Sequence, residues 1–163
     1  MAIRQIRVIG DEILTKPCKP VKEMNDRTRE LIGDMFETMY ASNGCGLAAP
    51  QVGIRKRLVV IDVDDENQYV LINPEILETS GSQTGPEGCL SVPGKQGQVT
   101  RADHVKVRAL NEDMEEQVIE AEGLLARCIL HECGRDGRID EDCIYGNAGL
   151  CGAGAGSIGE SRP

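Results

Sequence analysis

Three short stretches of this chain bring together residue types that can do chemistry. His131-Glu132 stands late in an apolar run. Histidine is a common metal ligand, and a carboxylate beside a metal-bound water can act as general base. A second ligand on the same helix face would stand four residues on, and position 135 is arginine. Read alone, His-Glu is more often a capped or solvated helix end. In Pro86-Glu-Gly-Cys-Leu-Ser-Val92, Cys89 follows glycine where loop meets strand. There it could be a nucleophile or a ligand, although a lone cysteine is more often a small buried residue. The third stretch ends at Gln51. Its glycines permit close backbone approach to a ligand, and the glutamine amide is a donor suited to an oxyanion. The plain alternative is a tight, packed turn.

The elements that must position these residues can be read from periodicity. Asn25 or Asp26 can cap a helix running to about Ser42, with Leu31, Ile32, Met35, Phe36 and Met39 on one face. Asn43-Gly44 ends it. Residues 44–53 are too rich in Gly and Pro for a regular element. Arg57 to Val63 and Tyr69 to Ile72 are strand-like, and a short strand is expected around Ile76, after Pro74. Ser80 to Gly88 reads as a polar, glycine-rich loop. Val105 to Leu110 and Val118 to Ala121 alternate, and the turn Asn111-Glu-Asp-Met makes them a hairpin. From Gly123 the period becomes helical through Leu124, Leu125, Cys128, Ile129 and His131. The class is α+β: antiparallel strands packed around a late helix that carries the polar chemistry. One domain is expected over residues 1–133. Residues 134–163, with the run Gly149-Leu-Cys-Gly-Ala-Gly-Ala-Gly156, read as a flexible tail.

Composition excludes several classes. The chain has 163 residues, 40% apolar and 28% charged, which suits a single globular unit with a sizeable core. A formal net charge of −9 argues against a phosphate-binding surface, and Phe36, Tyr40, Tyr69 and Tyr145 are too few to stack bases. Direct nucleic-acid binding is therefore not expected. No apolar run approaches the roughly 20 residues of a spanning helix, so no membrane role is expected. Seven scattered cysteines, an odd number, and an N-terminus without an apolar leader point to reduced thiols in the cytoplasm.

Taken in order, Gly44-Cys-Gly-Leu-Ala-Ala-Pro-Gln51, Glu87-Gly-Cys-Leu-Ser91 and His131-Glu132 resemble the three signature motifs of the bacterial-type peptide deformylases. Ile6-Arg-Val-Ile-Gly-Asp-Glu-Ile-Leu and Glu122-Gly-Leu-Leu-Ala-Arg-Cys-Ile also resemble that family. The resemblance covers about residues 1–133. It implies hydrolysis of the N-formyl group from the formylmethionine that begins nascent polypeptides, with release of formate, and N-formylmethionyl peptides as partners. It implies one divalent metal, iron(II) or alternatively zinc or nickel, held by a cysteine and the two histidines of a His-Glu-x-x-His helix. On this chain Cys89 and His131 would be metal ligands. Glu132 would take the proton of the bound water and pass it to the leaving amine. Gln51 and the backbone N–H of Leu90 would hold the oxyanion. Gly46 and Gly88 would offer backbone groups to the peptide, while Cys45, Leu124 and Cys128 would line the methionine pocket. Arg127 beside that pocket is less apolar than the role asks.

The resemblance breaks at the third ligand, because this chain reads His131-Glu132-Cys133-Gly134-Arg135. Arginine has no lone pair for a metal. A guanidinium about 4 Å from a dication is repelled by roughly 8 kcal/mol at an effective dielectric near 20, so the side chain turns outward. Cys133 points away from His131 on a helix, and His104, the only other histidine, belongs to the hairpin. The family's link to the ribosome often runs through a basic C-terminal helix. Residues 134–163 are instead glycine-rich and mildly acidic. The change of composition inside the motif is what a shifted reading frame or a misread would produce; resequencing to the same bases and frame would sink that hypothesis. Two other readings follow from the residues. One is a metal-free deformylase-like protein that at most binds N-terminal peptides. The other is a cysteine nucleophile at Cys89 served by His131, which no dithiol motif supports.

Overall fold

A computed structural model describes residues 2–8, 10–16, 18–89 and 92–133, without the side chains of residues 14, 15, 87, 89 and 92–96. The first long element is α1, Asp26–Ala41. Asn25 caps it, its side chain accepting from the Thr28 N–H at 2.9 Å, which satisfies one of the donors a helix start leaves over. Met35 and Met39 are fully buried, and Leu31, Ile32 and Phe36 nearly so. Burial of each such side chain contributes about 1.5–3 kcal/mol. The helix stops as expected, with Asn43 in the left-handed region at φ 57° and the Gly44 N–H donating to Met39 O at 2.9 Å.

Five antiparallel strands follow, in spatial order β1-β2-β3-β6-β7: β1 Gly46–Ala48, β2 Leu58–Ile61, β3 Tyr69–Ser80, β6 His104–Leu110 and β7 Glu116–Glu122. A separate antiparallel pair is formed by β4, Gln83–Cys89, and β5, Val92–Arg101. The last described element is α2, Gly123–Cys133. The five-stranded sheet has a helix on each face. Leu58, Val60 and Ile72 pack with α1, while Val59, Ile61, Leu71, Val105 and Val107 pack with Ala126 and Ile129 of α2. Because both faces are covered, all four residues of β2 are buried and its sequence is a continuous apolar run.

The β6–β7 hairpin is as the sequence predicts, closed by the Asn111 side chain accepting from Asp113 N at 2.9 Å and Glu115 N at 3.0 Å. Three expectations are corrected. Most of residues 44–53 is regular after all: in β1 Gly46 pairs with Ile61 and Ala48 with Val59, and Ala49–Val52 forms a 3-10 turn. The segments expected at Tyr69 to Ile72 and around Ile76 are one strand. A register shift between Ile72 and Glu75, with Asn73 at φ 52°, takes Pro74 into a bulge. Most of the loop expected over Ser80 to Gly88 is β4. In a two-stranded ribbon only one edge needs backbone partners, so Gly85, Pro86 and Gly88 are tolerated there.

Candidate active site

The site begins where β1 runs under α2. His131 and Glu132, on the last turn of α2, are both buried, at 5% and 7% exposure. Glu132 lies against Gly46: a Cβ added to that glycine would stand 3.1 Å from Glu132 Cγ and 3.2 Å from Oε1. Gly46 therefore makes room for the carboxylate. Gln51, from the 3-10 turn after β1, is 1% exposed, and its Oε1 accepts from the Ala48 N–H at 2.9 Å. That bond fixes which end of the amide is which, so Nε2 is its donor end. Gln51 also accepts at its carbonyl from the Arg7 N–H at 2.7 Å, tying the turn to the N-terminal segment.

His131 Nε2 is 4.0 Å from Glu132 Oε1, and its Nδ1 is 3.3 Å from an Arg101 guanidinium nitrogen. When Nδ1 accepts from Arg101, the ring proton sits on Nε2. A metal on Nε2 requires the opposite tautomer. Arg127 is also buried, donating to Val99 O at 3.0 Å and to Gln83 O at 3.4 Å. These two arginines fasten the β4–β5 pair, which ends in Cys89, to the helix that carries His131 and Glu132. Neither stood among the residues expected at the site. Arg127 had a signal, a lone cation in an apolar helix, while Arg101 had none.

The remaining expected residues divide. Cys45 and Cys128 meet, with 2.7 Å between their sulfurs. Leu124, one helical turn before Cys128, is 55% exposed in an open depression with Val63, Asp65, His104 and Glu120. Gly88 is exposed in β4, opposite Gln96. Cys89 ends β4 opposite Val92, and its side chain, Leu90, Arg135 and the whole of 134–163 lie outside the described residues. Cys133 is buried beside a small cavity lined by Pro50, Leu58, Pro74 and Glu132, and His104 lies 3.8 Å from Glu120 on the hairpin.

The polypeptide deformylase family model matches residues 3–136, spanning all three motifs and position 135. The chain belongs to the polypeptide deformylase family. It is 58% identical over 147 residues to a peptide deformylase of Agathobacter rectalis, covering 90% of this chain and 92% of that relative. Peptide deformylase 1 of Clostridium acetobutylicum is 62% identical over 132 residues, covering 81% and 87%. Among solved structures, a peptide deformylase from Legionella pneumophila superposes with a TM-score of 0.83 at 40% identity, covering 99% of this chain and 100% of that one. One from Synechococcus elongatus, in complex with actinonin, gives 0.80 at 43% identity, covering 85% and 77%. The family is one of bacterial metallohydrolases of protein biosynthesis that remove the N-formyl group from nascent polypeptides, and it depends on a metal.

Whether this chain suits that metal can be asked of its donors. Among the described residues, no group of three or more His, Cys, Asp or Glu side chains could hold a metal ion. His131 offers one imidazole, and Cys89 lies at the end of a strand tied to α2. The next residue at helical spacing from His131 is Arg135, a cation without a lone pair. With Cys89 and His131 as the expected donors, the sequence supplies one fewer than the three protein ligands of an open catalytic site. Among the described residues, no helix is long and apolar enough to cross a membrane.

Proposed function

We propose that the cleft between β1, the 3-10 turn and α2 takes the formylmethionyl end of nascent polypeptides in the cytoplasm, and that hydrolysis in this chain is impaired by the missing third ligand. The observation that carries the reading is the seating of Glu132, buried against Gly46 on the helix next to β1 and the Gln51 turn. In this reading Glu132 accepts a proton from the water that attacks the formyl carbon and returns it to the departing amine. The Gln51 Nε2 and the Leu90 N–H hold the oxyanion, and a donor already oriented by Ala48 needs no reorganisation as charge develops. Gly46 and Gly88 present backbone to the peptide, with Cys45, Cys128 and Leu124 toward the methionine side chain. Cys89 and His131 are the donors left for iron(II), zinc or nickel, a choice that such a mixed set does not make by itself.

A second reading is favoured by Arg135: a chain that binds formylated N-termini without turning them over. Docking on the ribosome through a basic C-terminal helix is not part of the proposal, since residues 134–163 are acidic on balance. The test is formate release from a formylmethionyl tripeptide, with calorimetric binding of the same peptide, run beside the Agathobacter rectalis relative. Even a lost supporting contact lowers metal affinity or activity by about 10–100-fold. A lost ligand should therefore leave this chain at least about 100-fold slower while it still binds the peptide. Equal turnover with one metal bound per chain would overturn the proposal.

A further inference from the structure

The sulfurs of Cys45 and Cys128 stand 2.7 Å apart, 83 residues distant in sequence. Non-bonded atoms ordinarily rest about 3.5–4.0 Å apart, and a disulfide joins its sulfurs at about 2.05 Å. The backbone around the pair is held on both sides. The Asp62 N–H donates to Cys45 O at 2.9 Å, and Cys128 lies mid-way along α2, buried at 5% exposure. Cys128 precedes Glu132 by four residues, so both lie on one helix face. Cys45 meets the first and Gly46 the second. The pair thus stands one helical turn from the carboxylate, and Cys45 is half-buried, within reach of a small solute.

We propose that Cys45 and Cys128 are a redox-modification site: they form a reversible disulfide that staples the entry of β1 to α2 beside the candidate carboxylate. The oxidant is a low-molecular-weight disulfide of the glutathione class. The more accessible Cys45 thiolate attacks one sulfur of that disulfide, forming a mixed disulfide and expelling one small thiolate. The Cys128 thiolate then attacks the Cys45 sulfur, the protein S–S bond forms, and the second small thiol leaves. Two protein thiols lose two protons and two electrons, and one small disulfide becomes two small thiols. The bond fixes side chains expected at the methionine pocket, so its effect on substrate rests on the deformylase reading. Formation of the bond does not.

The experiment incubates the full chain with oxidised glutathione, alkylates remaining thiols, and maps peptides by mass spectrometry. The expected product is one peptide pair joined through Cys45 and Cys128, 2 mass units lighter than the two thiol peptides, reverted by dithiothreitol. The control variant Cys18→Ser, changed away from the pair, should cross-link as the parent does. In Cys128→Ala, Cys45 should stop at the glutathione adduct. A chain that keeps both thiols alkylatable, or stops at the mixed disulfide with Cys128 present, overturns the proposal. Binding of a formylmethionyl peptide, read in parallel, is expected to weaken at least about 10-fold on oxidation; unchanged binding overturns the pocket consequence. A reduced chain that never binds the peptide sinks the cleft reading instead, and the cross-link stands by its mass alone.

Discussion

Replacing Arg127 by leucine tests whether the buried guanidinium fastens the β4–β5 pair to α2. Arg127 donates to Val99 O at 3.0 Å and, more weakly, to Gln83 O at 3.4 Å. A hydrogen bond from a charged donor contributes about 1.5–3 kcal/mol, and a buried carbonyl left without its donor costs about 1–3 kcal/mol. Val99 is fully buried, so water cannot readily take the place of that donor. Leucine restores part of the apolar packing and removes the desolvation of the cation, leaving a net loss of about 2–3 kcal/mol. For a domain near this size each kcal/mol moves the midpoint by about 2–4 °C, so the fall should be about 4–12 °C. Arg127→Lys, with one ammonium for two carbonyls, should recover about half. Urea unfolding followed by circular dichroism gives the free energy, and amide exchange over β4 and β5 locates the loosening. A leucine variant as stable as its parent would refute the reasoning, since it would mean the buried cation costs as much as its bonds return.

Further expectations follow from the same contacts. In an Arg135→His background, Gln51→Glu keeps an acceptor for the Ala48 N–H but replaces the amide donor with negative charge, and formate release should fall about 10²–10³-fold with the fold unchanged. Equal rates in the two would remove Gln51 from the oxyanion. Burial alone would raise the Asp34 carboxyl, but the Ala2 N–H at 2.6 Å and the Arg4 guanidinium at 2.9 Å outweigh it, and its pKa lies below the ordinary carboxylate value. The unfolded chain then binds more protons at that position. Asp34 therefore contributes stability above its unfolded pKa of about 4, and loses it as pH falls through the folded value. Asp34→Asn should flatten the acid limb of the urea midpoint measured between pH 6 and pH 3; an unchanged limb would show the pairing to be without thermodynamic weight.

How much of this was legible in the sequence depends on what carries each feature. α1 and the β6–β7 hairpin each bury one face regularly, so Leu31, Met35 and Met39, or Val105 and Val107, announce them, while α2 is announced by its apolar run, buried throughout from Ala126 to Cys133. The β4 strand was hidden because its Gly and Pro residues imitate a loop, and because an exposed ribbon has no apolar alternation to read. β1 was hidden for a related reason: Gly46 is chosen for room beside Glu132, not for strand propensity. The chemistry of the site came through the order of three motifs, since no one of them is specific. The Arg101 and Arg127 ties are side-chain contacts across about 30 residues, with a histidine nitrogen and backbone carbonyls as acceptors, and no local pattern encodes them. Leu124 was placed at the methionine pocket by the resemblance alone, and it stands 55% exposed on the first turn of α2.

The most direct test of the account is metal content, together with formylmethionyl-peptide hydrolysis, on this chain beside its Arg135→His variant. The account predicts that the variant alone holds about one metal per chain and releases formate, because histidine restores the third donor of the His-Glu-x-x-His pattern. Metal binding and full turnover in the unaltered chain would contradict it, and would mean that another group completes the site.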